Sequence, residues 1–221
     1  TMAILFVTAF ASTIRYNIRP ENFSILFCAA YLLILSRFIK TKLVFLLPLL
    51  QLVWVNTHGF FILGPLIVGL IILGEIVKRA KIMPWEWDTT ALLDNRRLRN
   101  LITAFFLICL ASFINPYGLK GALYPLEVIA NSSGSGKIFY QYIIELVHPW
   151  EFSSVFNSNV SGYYFLIIIS FLAFLFNFRR INISYFIIWL IFVLLSIKSN
   201  RNIIYFNFIA FLTTMDNINT D

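Results

Sequence analysis

The chain has 221 residues, of which 60% are hydrophobic, 18% aromatic and only 12% charged, with a formal net charge of +7. A soluble domain carries about a quarter of its residues as charges, and a soluble fold could not bury this much apolar surface, so the composition weighs against one. The basic residues stand at the ends of apolar runs and form no stripe with interleaved stacking aromatics, so membrane lipids are the expected partner and nucleic acid is not.

A helix needs about 20 residues to cross hydrocarbon, with roughly 17 tolerated. In chain order the apolar runs fall at 2–13, 22–38, 43–57, 60–77, 99–114, 161–178, 183–197 and 203–215. The expected fold is all-α, a polytopic bundle of about seven or eight spans read as one transmembrane domain over 1–221. The first run follows Thr1-Met2 with no basic region before it, unlike a signal peptide, so the sequence reads as an internal fragment of a longer protein. Cys28 and Cys109 lie inside apolar runs with no CxxC spacing and read as small hydrophobes, so neither a metal nor a cofactor is expected.

The runs 43–57 and 60–77 are split only by the polar stretch Asn56-Thr57-His58-Gly59 at their junction. The flanking connections decide how to read them. Arg37, Lys40 and Lys42 precede the pair, and Lys78, Arg79, Lys81, Arg96, Arg97 and Arg99 follow it. Two basic connections belong on the cytoplasmic side, which requires an even number of crossings between them and makes the pair a hairpin. Continuing the alternation puts Arg179 and Arg180 inside as well, eleven basic residues against six outside. Residues 115–160 then form a long extracytoplasmic loop. Within it Leu119–Ala130 and Ile138–Trp150 read as short interfacial helices, joined flexibly through Asn131–Gly136.

With this orientation the unusual polar residues collect on the outer face: Arg15, Asn17, Arg19 and Glu21; Asn56 and His58; Asn115 and Tyr117; Glu145, His148 and Glu151; and Asn200, Arg201 and Asn202. Polar groups where helices leave a bilayer are costly against lipid and usually line a cavity, so one shared cleft is expected. Arg15, Arg19 and Arg201 suit phosphate, which a guanidinium grips through paired N–H groups. His58 closes a span and is a candidate base or hydroxyl ligand. Glu145 stands three residues before His148, so the two share a helical face, a pairing suited to proton transfer. Asn56, Asn115, Tyr117, His148 and Asn202 are read as lining the same cleft. Asn115-Pro116-Tyr117-Gly118 is also a helix-stop and turn signal. Ser133–Lys137 fails as a phosphate loop because position 131 is Asn rather than Gly and Ile follows Lys137, and neither HExxH nor GxSxG occurs.

The stretch Trp54–Phe60, with Gly64 after it and Gly74-Glu75 closing the next run, resembles a family of large bacterial polytopic proteins, and Arg19-Pro20-Glu21, Asn115–Gly118 and Asn200–Asn202 occur in matching order. That family is similar to the GT-C class of glycosyltransferases. The resemblance implies transfer of a sugar from a polyprenyl-phosphate carrier on the outer face of a bacterial cytoplasmic membrane. It makes Arg15, Arg19 or Arg201 the phosphate ligand, an acidic residue that is either upstream of Thr1 or Glu145 the group that deprotonates the acceptor, and His58 the group that orients it. The acidic catalytic residue usual in that class sits in the first outer loop, and no predicted outer loop here carries an Asp. The competing reading is a transporter or flippase, or an O-antigen polymerase-like protein, for a lipid-linked or anionic substrate. Transporters favour paired repeats and mid-membrane polar groups. No repeat is present, and Gln51 and Asn207 are the main mid-span polar residues.

Overall fold

The computed structural model describes residues 2–13, 19–133, 143, 146, 148–152 and 158–219. No strand occurs among them. The helices are α1 (Met2–Ser12), α2 (Glu21–Arg37), α3 (Leu47–Val55), α4 (Leu63–Arg79), α5 (Asn95–Ala111), α6 (Gly118–Ser133), α7 (Pro149–Phe152), α8 (Ser158–Phe176), α9 (Ile183–Lys198) and α10 (Ile203–Ile218). Tighter 3-10 turns at Lys42–Leu46, Gly59–Ile62 and Asn200–Asn202 lead into α3, α4 and α10. The all-helical expectation holds for the described residues. Gly59–Arg79, 21 residues, is long and apolar enough to cross a membrane, whereas Met2–Ser12, Lys42–Val55, Val160–Phe176 and Ile183–Lys198 are apolar but shorter.

Contacts divide the chain into two compact units, Thr1–Asn17 with Val77–Thr90 and Ile138–Asp221, and Ile18–Ile76 with Ala91–Lys137. In the first, α10 is the central helix and packs on α1, α8 and α9. Its buried residues run from Ile203 and Phe206 through Ile209 and Ala210 to Asn217, as expected of a helix covered by neighbours on several sides. At Gly162 an added Cβ would press on Ala11, so the absence of a side chain lets α1 and α8 approach closely.

In the second unit α3 packs along α5 and touches α2. α3 stops at Val55 and α4 begins only at Leu63, so 43–77 is not one straight helix but two joined by a turn. Asp94 caps α5 by accepting the Arg97 N–H at 2.7 Å. After α5 the chain turns where Asn115-Pro116-Tyr117-Gly118 signals it, with Gly118 at φ 54°, a conformation other residues adopt at a cost. α6 continues through Asn131 to Ser133, so the first half of the expected flexible joint is helical instead. A helix already formed adds one hydrogen bond for each further residue fixed, which carries it through these positions.

Within each unit, contacts join positions that the alternating reading sets at the same end. Asn56 reaches the Ile114 carbonyl at 2.9 Å and His148 the Ile197 carbonyl at 3.0 Å, all at the expected outer end. Arg180 pairs with Glu86 at 2.7 Å and Asn177 donates to Asn217 at 3.1 Å, all at the expected inner end.

Candidate functional site at the His58 turn

The turn between α3 and α4 places His58 beside α2. Ser24, on the first turns of α2, sets its Oγ 2.7 Å from His58 Nδ1. The indole N–H of Trp54 donates to the same Ser24 Oγ at 2.8 Å. Trp54 is one helical turn before His58, so the local sequence itself delivers both groups to Ser24. An indole can only donate, which leaves the Ser24 hydroxyl proton available for Nδ1. Ser24 and Trp54 are fully buried, whereas His58 is half-buried and stacks on Phe60 with ring centroids 5.6 Å apart. A buried hydroxyl pinned by a buried indole holds one edge of the imidazole and fixes the direction of the other, Nε2.

Beneath this turn lies a second polar group. Gln51 is fully buried, yet both ends of its amide are engaged. Tyr31 shares its hydroxyl proton between Gln51 Oε1 at 2.9 Å and the Leu47 carbonyl at 3.0 Å. The amide Nε2 donates to the Phe61 carbonyl at 3.1 Å and to Ser112 Oγ at 2.9 Å. One side chain thus ties α2, α3, the Gly59–Ile62 turn and the end of α5 together. Gly64 makes room for it: a Cβ there would overlap Gln51 Oε1 and lie 3.2 Å from the Tyr31 ring.

The remaining sequence-predicted residues divide as follows. Arg19, just ahead of α2, is exposed and belongs to the same unit as His58. Asn56 gives its amide to the carbonyls of Leu52 and Ile114, joining the ends of α3 and α5. Asn115 closes its own turn, donating to the Ser112 and Gly118 carbonyls and accepting from the Tyr117 N–H. Tyr117 is exposed. Arg201, His148 and Asn202 belong to the other unit. There His148 stacks on Trp150 with centroids 4.4 Å apart, and Asn202 donates to the Leu195 carbonyl at 2.9 Å. Arg15 and Glu145 lie outside the described residues, as does Asn17. No cluster of three or more metal-ligating side chains occurs among the described residues.

Sequence reasoning singled out His58 but missed Ser24, 34 positions away, because a serine in an apolar helix carries no signal of what it faces. The one available clue was the four-residue step from Trp54 to His58. Comparison with protein-family models, curated proteins and solved structures finds no match for this chain.

Proposed function

We propose that the chain is a multi-pass integral protein of a bacterial cytoplasmic membrane, with about seven or eight crossings, working on a polyprenyl-phosphate-linked sugar at the extracytoplasmic face. The observation that supports membrane insertion is the inverted distribution of polarity. Phe6, Leu26, Leu49, Phe106, Ile168 and Leu194 point outward from their helices, while Ser24, Gln51, Ser170, Ser196, Asn207 and Thr213 are fully buried. Water would reward the opposite arrangement; lipid rewards this one. The pairing of like ends within each unit fits up-and-down crossings.

Glycosyl transfer is favoured by the His58 turn. In such a transfer the acceptor hydroxyl loses its proton, its oxygen bonds to the sugar C1, and the C1–O bond to the polyprenyl phosphate breaks with the phosphate leaving as anion. His58, directed by Ser24, is suited to orient or deprotonate the acceptor. Arg19, in the same unit as His58, supplies a cation for the leaving phosphate.

The test uses membranes carrying the full chain, a polyprenyl-phosphate-hexose donor and native acceptors. His58→Asn is expected to lower transfer about 100-fold or more, the ordinary contribution of a positioned acid or base. Undecaprenyl phosphate alone, added to purified protein and followed by native mass spectrometry, should bind both proteins equally. Unchanged transfer in His58→Asn would end the catalytic reading. Asn207 favours the transporter alternative, since a wholly buried amide at mid-helix has an Oδ1 without a hydrogen-bond partner among the described residues. Counterflow of the same lipid in vesicles, with no transfer, would select that alternative.

A further inference from the structure

The basic connection after α4 is not a plain tether. Its residues 85–90 are built onto the turn between α8 and α9, all within the first unit. Trp87 donates its indole N–H to the Phe178 carbonyl at 2.6 Å, the Glu86 N–H meets the Arg179 carbonyl at 3.1 Å, and Arg180 Nε pairs with the Glu86 carboxylate at 2.7 Å. Thr89 and Thr90 both fold back on the Glu86 carbonyl, with N···O distances of 3.1 and 3.0 Å. Lys81 and Trp85 hold φ at 52° and 56°, a left-handed conformation that side-chain-bearing residues adopt only when their surroundings enforce it.

What this enforced shape achieves is display. Trp85 is held edge-on to Phe178, 5.4 Å between centroids, yet remains 60% exposed, and Ile82 is 73% exposed. Arg179 lies over the same Phe178 ring, its guanidinium carbon 5.7 Å from the centroid, and Lys81 and Arg179 are both exposed. In water an ordered surface bearing Trp85 and Ile82 outward has no compensation. At the boundary of a bilayer an indole is at its preferred depth, and the neighbouring cations face phosphate.

We propose that Ile82, Trp85, Lys81 and Arg179 form a docking surface for the headgroups of anionic phospholipids, fixed in shape by the Glu86–Arg180 and Trp87–Phe178 contacts. It rests on the membrane reading above. Charge complementarity names the occupant: Arg179 lies on the ring that holds Trp85, Lys81 stands four residues before Trp85 in the same connection, and both exposed cations suit a phosphate that zwitterionic lipids neutralise internally. The loop is thereby a lipid-selective foot rather than a passive connection.

The full chain is reconstituted into phosphatidylcholine vesicles with or without phosphatidylglycerol, using acyl-brominated versions of each lipid as quenchers. The emission lost in Trp85→Phe isolates Trp85. Brominated phosphatidylglycerol should quench that component about twofold more strongly than brominated phosphatidylcholine, and Lys81→Gln with Arg179→Gln should remove the difference. A spin label on Ile82→Cys, in a background lacking Cys28 and Cys109, provides a second measure at an exposed site and should report headgroup depth. Equal quenching by both lipids, or a label in bulk water, overturns the proposal. Extraction of the chain by alkaline carbonate would overturn the membrane reading itself, whereas a carbonate-resistant chain with equal quenching breaks only the headgroup selectivity.

Discussion

Gln51 in one unit and Asn207 in the other are both wholly buried amides on apolar helices, yet their surroundings treat them differently. Gln51 has an acceptor or donor for each end, drawn from other elements around it. Asn207 donates to Ser12 Oγ at 3.1 Å, and its Oδ1 has no hydrogen-bond partner among the described residues. The first arrangement is a closed lock in which the oxygen and the nitrogen of the amide are each met by another element. The second is a single tie with one polar atom over. An amide buried in apolar surroundings is therefore not one kind of object, and the count of satisfied atoms distinguishes framework from a group with capacity to bind something else.

The largest effect is expected at Gly64. Ala in a helix normally gains up to about 1 kcal/mol over Gly. Here the new Cβ overlaps Gln51 Oε1, which cannot swing away without leaving Tyr31. Gly64→Ala should cost about 2–4 kcal/mol, the range for overpacking with loss of a buried network. Thermal unfolding in detergent, followed by size-exclusion fluorescence, measures it. Adding Gln51→Ala should recover part of the loss, because the two changes share one contact and cannot be additive. A stable Gly64→Ala protein would break the claim that the lock is tight.

Next comes Gln51→Leu, expected to cost about 2–3 kcal/mol because the Phe61 carbonyl and the Ser112 hydroxyl lose a buried donor. Ser112 keeps its own bond to the Ile108 carbonyl at 3.0 Å, and Tyr31 keeps Leu47, which limits the damage. Asn207→Leu should then cost about 1 kcal/mol or less, since the lost bond to Ser12 is offset by removing an unpartnered acceptor. A loss at Asn207 equal to that at Gln51 would erase the distinction between the two regions.

These pairs also mark where reading the sequence stops. The helix limits were legible, because apolar runs end at charges and turn residues: α2, predicted over 22–38, occupies Glu21–Arg37, and α9, predicted over 183–197, occupies Ile183–Lys198. The break at Thr57–Gly59 was legible from loop charge. The ends of α6 were less so, since Asn131 and Ser133 favour turns in isolation and still complete a helix. Three features left no trace in periodicity: Ser24 behind His58, the fastening of 85–90 onto the 177–182 turn, and the left-handed Trp85 where a glycine would be the usual signal. Each is a contact between positions far apart in the chain or a conformation enforced by one. Gln51 was visible as a polar residue in mid-span, but whether it formed a lock or an open site depended on Tyr31, Phe61 and Ser112 arriving from other elements.

The smallest change is expected at Thr213, and it sharpens the comparison because Thr213 is as buried as Gln51 or Asn207. Its hydroxyl donates to the Ile209 carbonyl at 2.9 Å, four residues back on its own helix. That carbonyl already takes part in the helix ladder, so the hydroxyl hides its polarity without joining two elements. Thr213→Val keeps the branched shape and removes both the donor and the need for an acceptor, a substitution of paired loss rather than stranding. The stability change should stay within about 0.5 kcal/mol, the scatter ordinary for changes that strand nothing. The same detergent unfolding assay reads it against Gln51→Leu. A loss above about 1.5 kcal/mol would mean that Thr213 bridges helices, and burial alone, not the destination of each hydrogen bond, would then set the cost of a polar residue in this bundle.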